Sequence, residues 1–599
     1  MDTTWNPYPI RPALKRRQIQ SQSFYLTMRD GVKLALAVHL PRQRQAGEKL
    51  PTVIRATRYY RQFEFRWPFN YLLNGADLLA RQWLANGYAR VQVDVRGTGA
   101  SFGSQYGPWS PEEVKDYAQV VDWVVQQAWS NGAVGFEGVS YHGTAAEMAL
   151  VNRHPAVKAV IPSFTLFDLY ADIAYPGGVC LAWFLENWGA ATRAMDQNHF
   201  ERVGPPRGSP MARIKPLVRG MVPVDADHDR SQLAQAVQSH AHNWDPYQTV
   251  LALECRDEPW PTDPRLTADD FSPHHYIQAI NQSGAAVYSY GGWLDGGYPR
   301  AAIHRYLSLS NPANRLILGP WSHGGLYHCG PHVGKRSRFK HPAEMIRFFD
   351  QHVKGLDNGL QDEEPIHYFT LVEEKWRAAR AWPPQAEMLP FYFHADHRLG
   401  EEKPSAADAA DVYTVDYSAS TGNRTRWNSV FGGGKVVYPD RSREDRQLLT
   451  YTSPPLTHDM RITGHPLATL YVSSSAADGN FFVYLEDVEP TGRVTYVTEG
   501  MLRALHRKVS NDAPPYVSIG PYHTCRREDA APLELGQVAT LHLDLLPTSY
   551  LFKAGHAIRV ALAGADKDNF GVPSSPSPTV KFYRDQVYPS HIVLPRVDG

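Results

Sequence analysis

The chain has 599 residues, 43% of them hydrophobic and 15 of them tryptophan, enough for a sizeable core and several domains but no signature of disorder. Lysine plus arginine (61) balances aspartate plus glutamate (61), so net charge supplies no attraction for nucleic acid or an anionic membrane, and neither is expected as a partner. No apolar run approaches the roughly 18 residues that cross a bilayer, the first twenty residues lack an apolar stretch of signal type, and four widely spaced cysteines give no disulfide or thiolate-zinc pattern. A soluble cytoplasmic protein is the expectation.

Taken in chain order, strand patterns run over 33 to 41, 51 to 56, 89 to 95, 132 to 139 and 157 to 163, alternating with helical periodicity, which predicts an α/β domain with a largely parallel sheet. The clearest helix follows Ser110, with Pro111 at its first position, Glu113 completing a capping box, apolar residues from Val114 to Ala128 at intervals of three and four, and Asn131-Gly132 as its stop. Between 166 and 280 the pattern becomes aromatic-rich and broken by proline, and reads as an inserted helical unit without good strands. Strand runs return at 285 to 293 and 314 to 321, and a helix at 342 to 355. Past Ala381-Trp382-Pro383-Pro384, short alternating runs dominate and predict a β-sandwich. The expected organisation is a discontinuous α/β domain (1–165 and 281–380), a helical cap (166–280) and a β domain (381–599).

Gly138-Val139-Ser140-Tyr141-His142-Gly143 lies between a strand and a helical run, where a serine on a sharp turn acts as a nucleophile elbow. His142 stands where G-x-S-x-G has its second glycine, and Gly143 follows one place later. Serine is a weak nucleophile at neutral pH, so a histidine must take its proton and a carboxylate must orient that histidine. Asp295, in Gly291-Gly292-Trp293-Leu294-Asp295-Gly296, and His323, in Gly319-Pro320-Trp321-Ser322-His323-Gly324, close successive strands in the required order.

Gly-x-Ser-Tyr-x-Gly, Gly-Trp-x-Asp and Gly-Pro-Trp-x-His together resemble the cocaine-esterase-like hydrolases, the family that also holds X-Pro dipeptidyl-peptidases and α-amino-acid ester hydrolases. Further matches are Asp94 to Ser101, Asp168-Leu169-Tyr170, Gly464-His465-Pro466 and Phe552 to His556, so the likeness spans nearly the whole chain. It implies an α/β-hydrolase core with an inserted helical cap and a C-terminal, jelly-roll-like β-sandwich. It makes Ser140 the nucleophile, His323 the base and then acid, Asp295 its support, and the Tyr141 N–H one oxyanion donor. The second donor would be a tyrosine of a Pro-Tyr motif. Arg58 stands here in place of that proline, and Tyr59 is assigned the role with Tyr60 in reserve. Trp188 and Tyr175 fall where the family places aromatics against the acyl group. The amino-acid ester hydrolases carry carboxylates two and three places after the acid; Gly297 and Tyr298 stand there, which does not support a preference for free α-amino groups.

The expected activity is cleavage of carboxylic esters, with acyl-amide or peptide bonds as further substrates, through an acyl-enzyme on a small-molecule acyl substrate. No cofactor is implied, and assembly into a homo-oligomer is compatible with the sequence. One alternative is an X-Pro dipeptidyl-peptidase. Another is an inactive carbohydrate- or protein-binding chain that uses the β domain, but a decayed enzyme has no reason to keep all three triad residue types. A metal site from His323, His328, Cys329 and His332 uses residues that suit zinc, but His323 is already claimed by the serine pattern.

Overall fold

Runs rich in Val, Ile and Ala that are apolar on both faces suit a sheet covered on both sides. The computed structural model of the protein describes residues 5–598 apart from 6, 46, 71–74, 205–209, 332 and 573–575. Ten strands form one sheet: β1 (Ile19–Thr27), β2 (Lys33–Pro41), β3 (Leu50–Thr57), β4 (Ala89–Asp94), β5 (Ser130–Val139), β6 (Val157–Ser163), β7 (Ala286–Gly292), β8 (Arg315–Gly319), β9 (Ile366–Thr370) and β10 (Lys375–Ala379). Their order is β1-β2-β4-β3-β5-β6-β7-β8-β9-β10. β2 is antiparallel to both neighbours and β10 to β9, while the strands from β4 to β9 run parallel. This is the α/β-hydrolase arrangement.

The period of two in each strand sends neighbouring residues to opposite faces. Val53, Ile161 and Ile317 pack with Trp83 of helix α1 (Leu78–Ala85) and Phe349 of the helix His341–His352. Ile54, Val160 and Leu316 belong to the other core, with residues of α2 (Pro111–Val125), α3 (Tyr141–Met148) and the helix Tyr298–Ser308. Between β6 and β7 the chain leaves the sheet and forms helices that include α4 (Ala182–Asp196) and Ser231–Ser239. A short strand in this segment, Val218–Met221, pairs with Phe63–Phe65 and ties it to the loop after β3, a ribbon that the proline-rich sequence did not announce.

From Glu387 onward the described residues form antiparallel ladders in two sheets, one of nine strands and one of four, as a sandwich. Three local expectations change. Ser110 caps α2, but Glu113 turns inward instead of closing a capping box. The helix ends at Val125, and Asn131-Gly132 lies inside β5. β1, β9 and β10 were not expected; β1 carries Gln and Ser on an edge that faces solvent, which dilutes its apolar signal.

Candidate active site

A serine between a strand and a helix must turn the chain within one residue. Ser140 does so at φ 64°, ψ −129°, a conformation that non-glycine residues rarely adopt and that is stored where surrounding structure enforces it. Its N–H donates to the Ser163 carbonyl, and its own carbonyl accepts from the N–H groups of Gly143 and Thr144 and from the Thr165 hydroxyl. The two glycines are steric requirements. A Cβ at Gly138 would lie 2.1 Å from the His142 Cβ, and one at Gly143 would lie 2.9 Å from the carbonyls of Gly138 and Ser163. The close approach to β6 thus falls at 143, which leaves position 142 free for a side chain.

That side chain has a use. His142 Nε2 is 2.6 Å from Thr57 Oγ1, which also accepts from the Tyr59 N–H at 2.8 Å. The imidazole that shares this bond with the Thr57 hydroxyl is neutral, its charged form strongly disfavoured by burial and then by Arg55 and Arg90 nearby. His142 so helps to set the backbone that carries Tyr59, a role hidden in the sequence, where it registered only as a departure from the elbow pattern.

The Tyr59 hydroxyl accepts a hydrogen bond of 2.8 Å from Trp188 Nε1 on α4 and lines the same cavity as Ser140. Burial raises the phenol above its ordinary value, only partly offset by Trp188, Arg58 and Ser140, so it keeps its proton at neutral pH. Arg58, in the place of the family's proline, is itself buried; it pairs with Asp196 at 3.1 Å and lies over the Trp188 ring at 5.2 Å, fastening this loop to the cap helix. Asp94 holds the far side of the same loop by accepting from the Arg61 N–H and guanidinium. A Cβ at Gly99 would meet its carboxylate at 2.3 Å.

Tyr60 faces elsewhere: its hydroxyl donates to the Met195 carbonyl at 2.8 Å. Tyr59→Phe is therefore expected to lower kcat by about 10² to 10³ with little change in KM, the usual loss of one oxyanion donor. Tyr60→Phe should cost about 0.5–1.5 kcal/mol of stability by removing one hydrogen bond, since the Met195 carbonyl keeps the Asn198 N–H, with kcat nearly normal. Steady-state kinetics and thermal melts on both variants check this.

Tyr141 begins α3, so its N–H has no intrahelical acceptor and is available beside Ser140. Its side chain is anchored: the hydroxyl donates to the Glu113 carboxylate at 2.8 Å, and Trp109 stacks on the ring at 4.5 Å while its Nε1 donates to the Tyr141 carbonyl. Burial pushes the Glu113 carboxyl up to about 7 against the pull of the Tyr117 and Tyr141 hydroxyls. Glu113 was read from sequence only as a helix cap.

His323 Nδ1 is 2.9 Å from Asp295 Oδ1, and both are buried. His323 sits on a turn in which Gly324 (φ 77°) and Gly325 (φ 72°) adopt left-handed conformations that favour glycine. Both catalytic loops are gripped by one stretch of the β domain. Arg426 donates to the carbonyls of Trp293 (2.7 Å) and Gly296 (3.0 Å) on either side of Asp295, Ser429 to that of Leu294, and the Ser322 hydroxyl donates to the Gly434 carbonyl. Nothing in the sequence linked Arg426 to the site. Arg426→Met should lower kcat by about 10²-fold, the scale of a small misplacement of reacting groups, with a smaller change in KM; kinetics on a preparation shown to be folded by circular dichroism measures it.

Ser140, His323, Tyr59, His142 and Trp188 line a cavity of about 760 Å³. Ser140, Tyr59, Tyr141, Trp188 and Tyr298 also line a smaller one of about 50 Å³, closed by Trp109, Leu169 and Phe184. Tyr175 reaches neither. It stacks on Tyr170 at 5.0 Å and its hydroxyl donates to the Val250 carbonyl, so it packs within the cap and the assignment of Tyr175 to the substrate wall is corrected. His328 pairs with Glu374 at 2.9 Å, His332 lies outside the described residues, and among the described residues no group of three or more metal-ligating side chains occurs.

The profile of the X-Pro dipeptidyl-peptidase (S15) family matches residues 30–325, and that of the X-Pro dipeptidyl-peptidase C-terminal non-catalytic domain matches 358–592. A "putative serine esterase" of Mycobacterium bovis is 46% identical over 99% of this chain and 98% of its own. The chain belongs to the S15 family. The cocaine esterase of a Rhodococcus strain is 26% identical over 95% of this chain and 97% of its own length. Among solved structures, a CocE/NonD family hydrolase from Staphylococcus aureus superposes with a TM-score of 0.70 at 19% identity, covering 97% of this chain and 93% of that one. An α-amino-acid ester hydrolase does so with the same score at 21% identity, covering 97% of each. These likenesses carry the fold, including its C-terminal β domain. No helix among the described residues is long and apolar enough to cross a membrane.

Proposed function

We propose that this protein is a serine hydrolase that cleaves carboxylic esters through an acyl-enzyme on Ser140. The observation that carries the reading is the convergence on one cavity of an elbow serine, a tyrosine hydroxyl held by Trp188, and a histidine paired with a buried aspartate. Ser140 Oγ attacks the ester carbonyl carbon while His323 Nε2 takes its proton. The carbonyl oxygen becomes an oxyanion that accepts from the Tyr141 N–H and the Tyr59 hydroxyl. Collapse breaks the bond to the alcohol oxygen, which leaves with the proton from His323. Water, deprotonated by His323, then attacks the acyl-enzyme, and Ser140 regains its proton.

The leaving oxygen must lie within reach of His323, which lines the large cavity and not the small one. The alcohol portion therefore occupies the large cavity. The acyl group enters the small apolar one, whose roughly 50 Å³ suits a short chain. An aminopeptidase would need an anionic partner for the substrate ammonium. Of the described residues lining the two cavities the only carboxylate is Asp77, already bonded to Arg55 and Gln92, which favours esters over the X-Pro dipeptidyl-peptidase alternative.

A panel of p-nitrophenyl esters from acetate to decanoate, run beside X-Pro anilides, tests both points. Short esters should be turned over best and the anilides hardly at all. An anilide with kcat/KM equal to or above that of the acetate would return the assignment to the peptidases.

A further inference from the structure

The large cavity is mostly apolar, with Met195, Val203, Met211 and Ile214 from the cap, but its charged residues are unevenly signed. Among the described residues, Arg16, Arg55, Arg61 and Arg81 line it against a single carboxylate, Asp77. Two of these arginines are neutralised locally. Arg61 is bound to Asp94 at 2.8 Å with both side chains fully buried, and Arg55 pairs with Glu137 at 2.9 Å and Asp77 at 3.2 Å. Asp77 is also occupied as the cap of α1, where Oδ1 accepts from the Ala80 N–H, and Oδ2 accepts from Gln92.

Arg81, one turn into α1, differs. Its Nε donates to the Leu14 carbonyl at 2.7 Å, which fixes the plane of the guanidinium, and its two terminal nitrogens meet no carboxylate among the described residues. Arg16 adds a second cation, whose charge is disfavoured by burial and then by Arg81, with Asp77 a weaker counterweight. One wall leads from the nucleophile to this corner through His142, Thr57, Arg55 and Asp77. A cleft with apolar walls and a surplus of one sign concentrates its field on a ligand of the other sign. A guanidinium held in one plane, with two free N–H-bearing nitrogens, matches the two oxygens of a carboxylate.

We propose that this corner is a carboxylate subsite, so that the preferred esters carry a carboxylate on their alcohol portion. The inference rests on the serine-esterase reading above, which puts the alcohol in the cavity that contains both His323 and Arg81. The short acyl group stays in the small cavity, and the alcohol chain runs along the apolar cap residues until its carboxylate reaches Arg81.

The test is a series of ω-acetoxy carboxylates, CH3CO–O–(CH2)n–COO⁻ with n from 2 to 8, each compared with its neutral primary amide by measuring the released alcohol. At the best-fitting length the carboxylate should exceed the amide in kcat/KM by about 10- to 100-fold, the scale of a hydrogen bond to a charged group. The ratio, read within each variant and so independent of how much protein is folded, should fall to near one in Arg81→Gln and invert in Arg81→Glu, which a packing role for Arg81 would not produce. Amides equal to carboxylates at every length, no turnover of either series, or an unchanged ratio in Arg81→Gln would each overturn the subsite. Turnover of p-nitrophenyl acetate in the same preparation separates the two readings: if it persists, only the subsite falls, whereas its loss together with failure of Ser140 to react with a fluorophosphonate removes the esterase itself.

Discussion

Ser140→Ala is expected to abolish covalent catalysis and lower kcat for p-nitrophenyl acetate by about 10⁴-fold or more, while the protein melts at nearly the same temperature. The separation of the two effects follows from how the elbow is built. Its conformation is held by backbone hydrogen bonds to Ser163, Gly143 and Thr144 and by the Thr165 hydroxyl, none of which uses the Ser140 side chain. The steric demands fall on Gly138 and Gly143. What is lost is the oxygen that bonds to the acyl carbon. Residual hydrolysis should survive at the level that oxyanion donors and binding alone support. Kinetics and a thermal melt on the purified variant measure both halves.

Asp295→Asn should keep the geometry yet lose about 10⁴ in kcat, by the logic that governs the acid of a serine triad. Asp295 Oδ1 accepts from His323 Nδ1 at 2.9 Å, which fixes the tautomer that leaves Nε2 free to take the serine proton. The carboxamide of the variant would offer an NH2 group at the same place, and the ring would meet it by presenting a lone pair at Nδ1 and a proton at Nε2. The turn itself would stay put, because Arg426 and Ser429 hold the carbonyls on either side of residue 295 and neither bond involves its carboxylate. Asp295 Oδ2 has no hydrogen-bond partner among the described residues, so no other protein group shares the charge that stabilises the imidazolium. Steady-state kinetics on the variant decides the point, and a near-normal kcat would mean that another carboxylate supports the histidine.

Most of the fold was legible because its central strands are dense in β-branched residues and its sandwich strands alternate. Local pattern and tertiary burial agree there. The exceptions have physical reasons. β1 is an edge whose outward residues are Gln and Ser, and Asn131-Gly132 resembles a helix stop although the chain already extends from Ser130. Within the site, Ser140, Asp295 and His323 are visible as residues because each sits on a glycine-rich turn at a strand end. The side chains that fix them are not visible, since their partners are remote in sequence. Arg426 bonds to the Gly296 carbonyl across 130 residues, and Arg58 meets its partner Asp196 after 138. Arg58 and His142, which looked like departures from family motifs, are the residues that fasten the Tyr59 loop to α4 and to the elbow. Tyr175 shows the converse: the family resemblance implied a substrate wall, but only its stacking on Tyr170 and its bond to Val250 reveal that it faces the interior of the cap.

The central claim is that Ser140 carries the acyl group, and mass spectrometry of the protein after reaction with a fluorophosphonate tests it most directly. The account predicts one adduct per chain, located in the peptide that contains Gly138-Val139-Ser140-Tyr141-His142 and absent from Ser140→Ala. An adduct on a peptide lacking Ser140, or an active ester hydrolase that takes up no reagent at all, would contradict it.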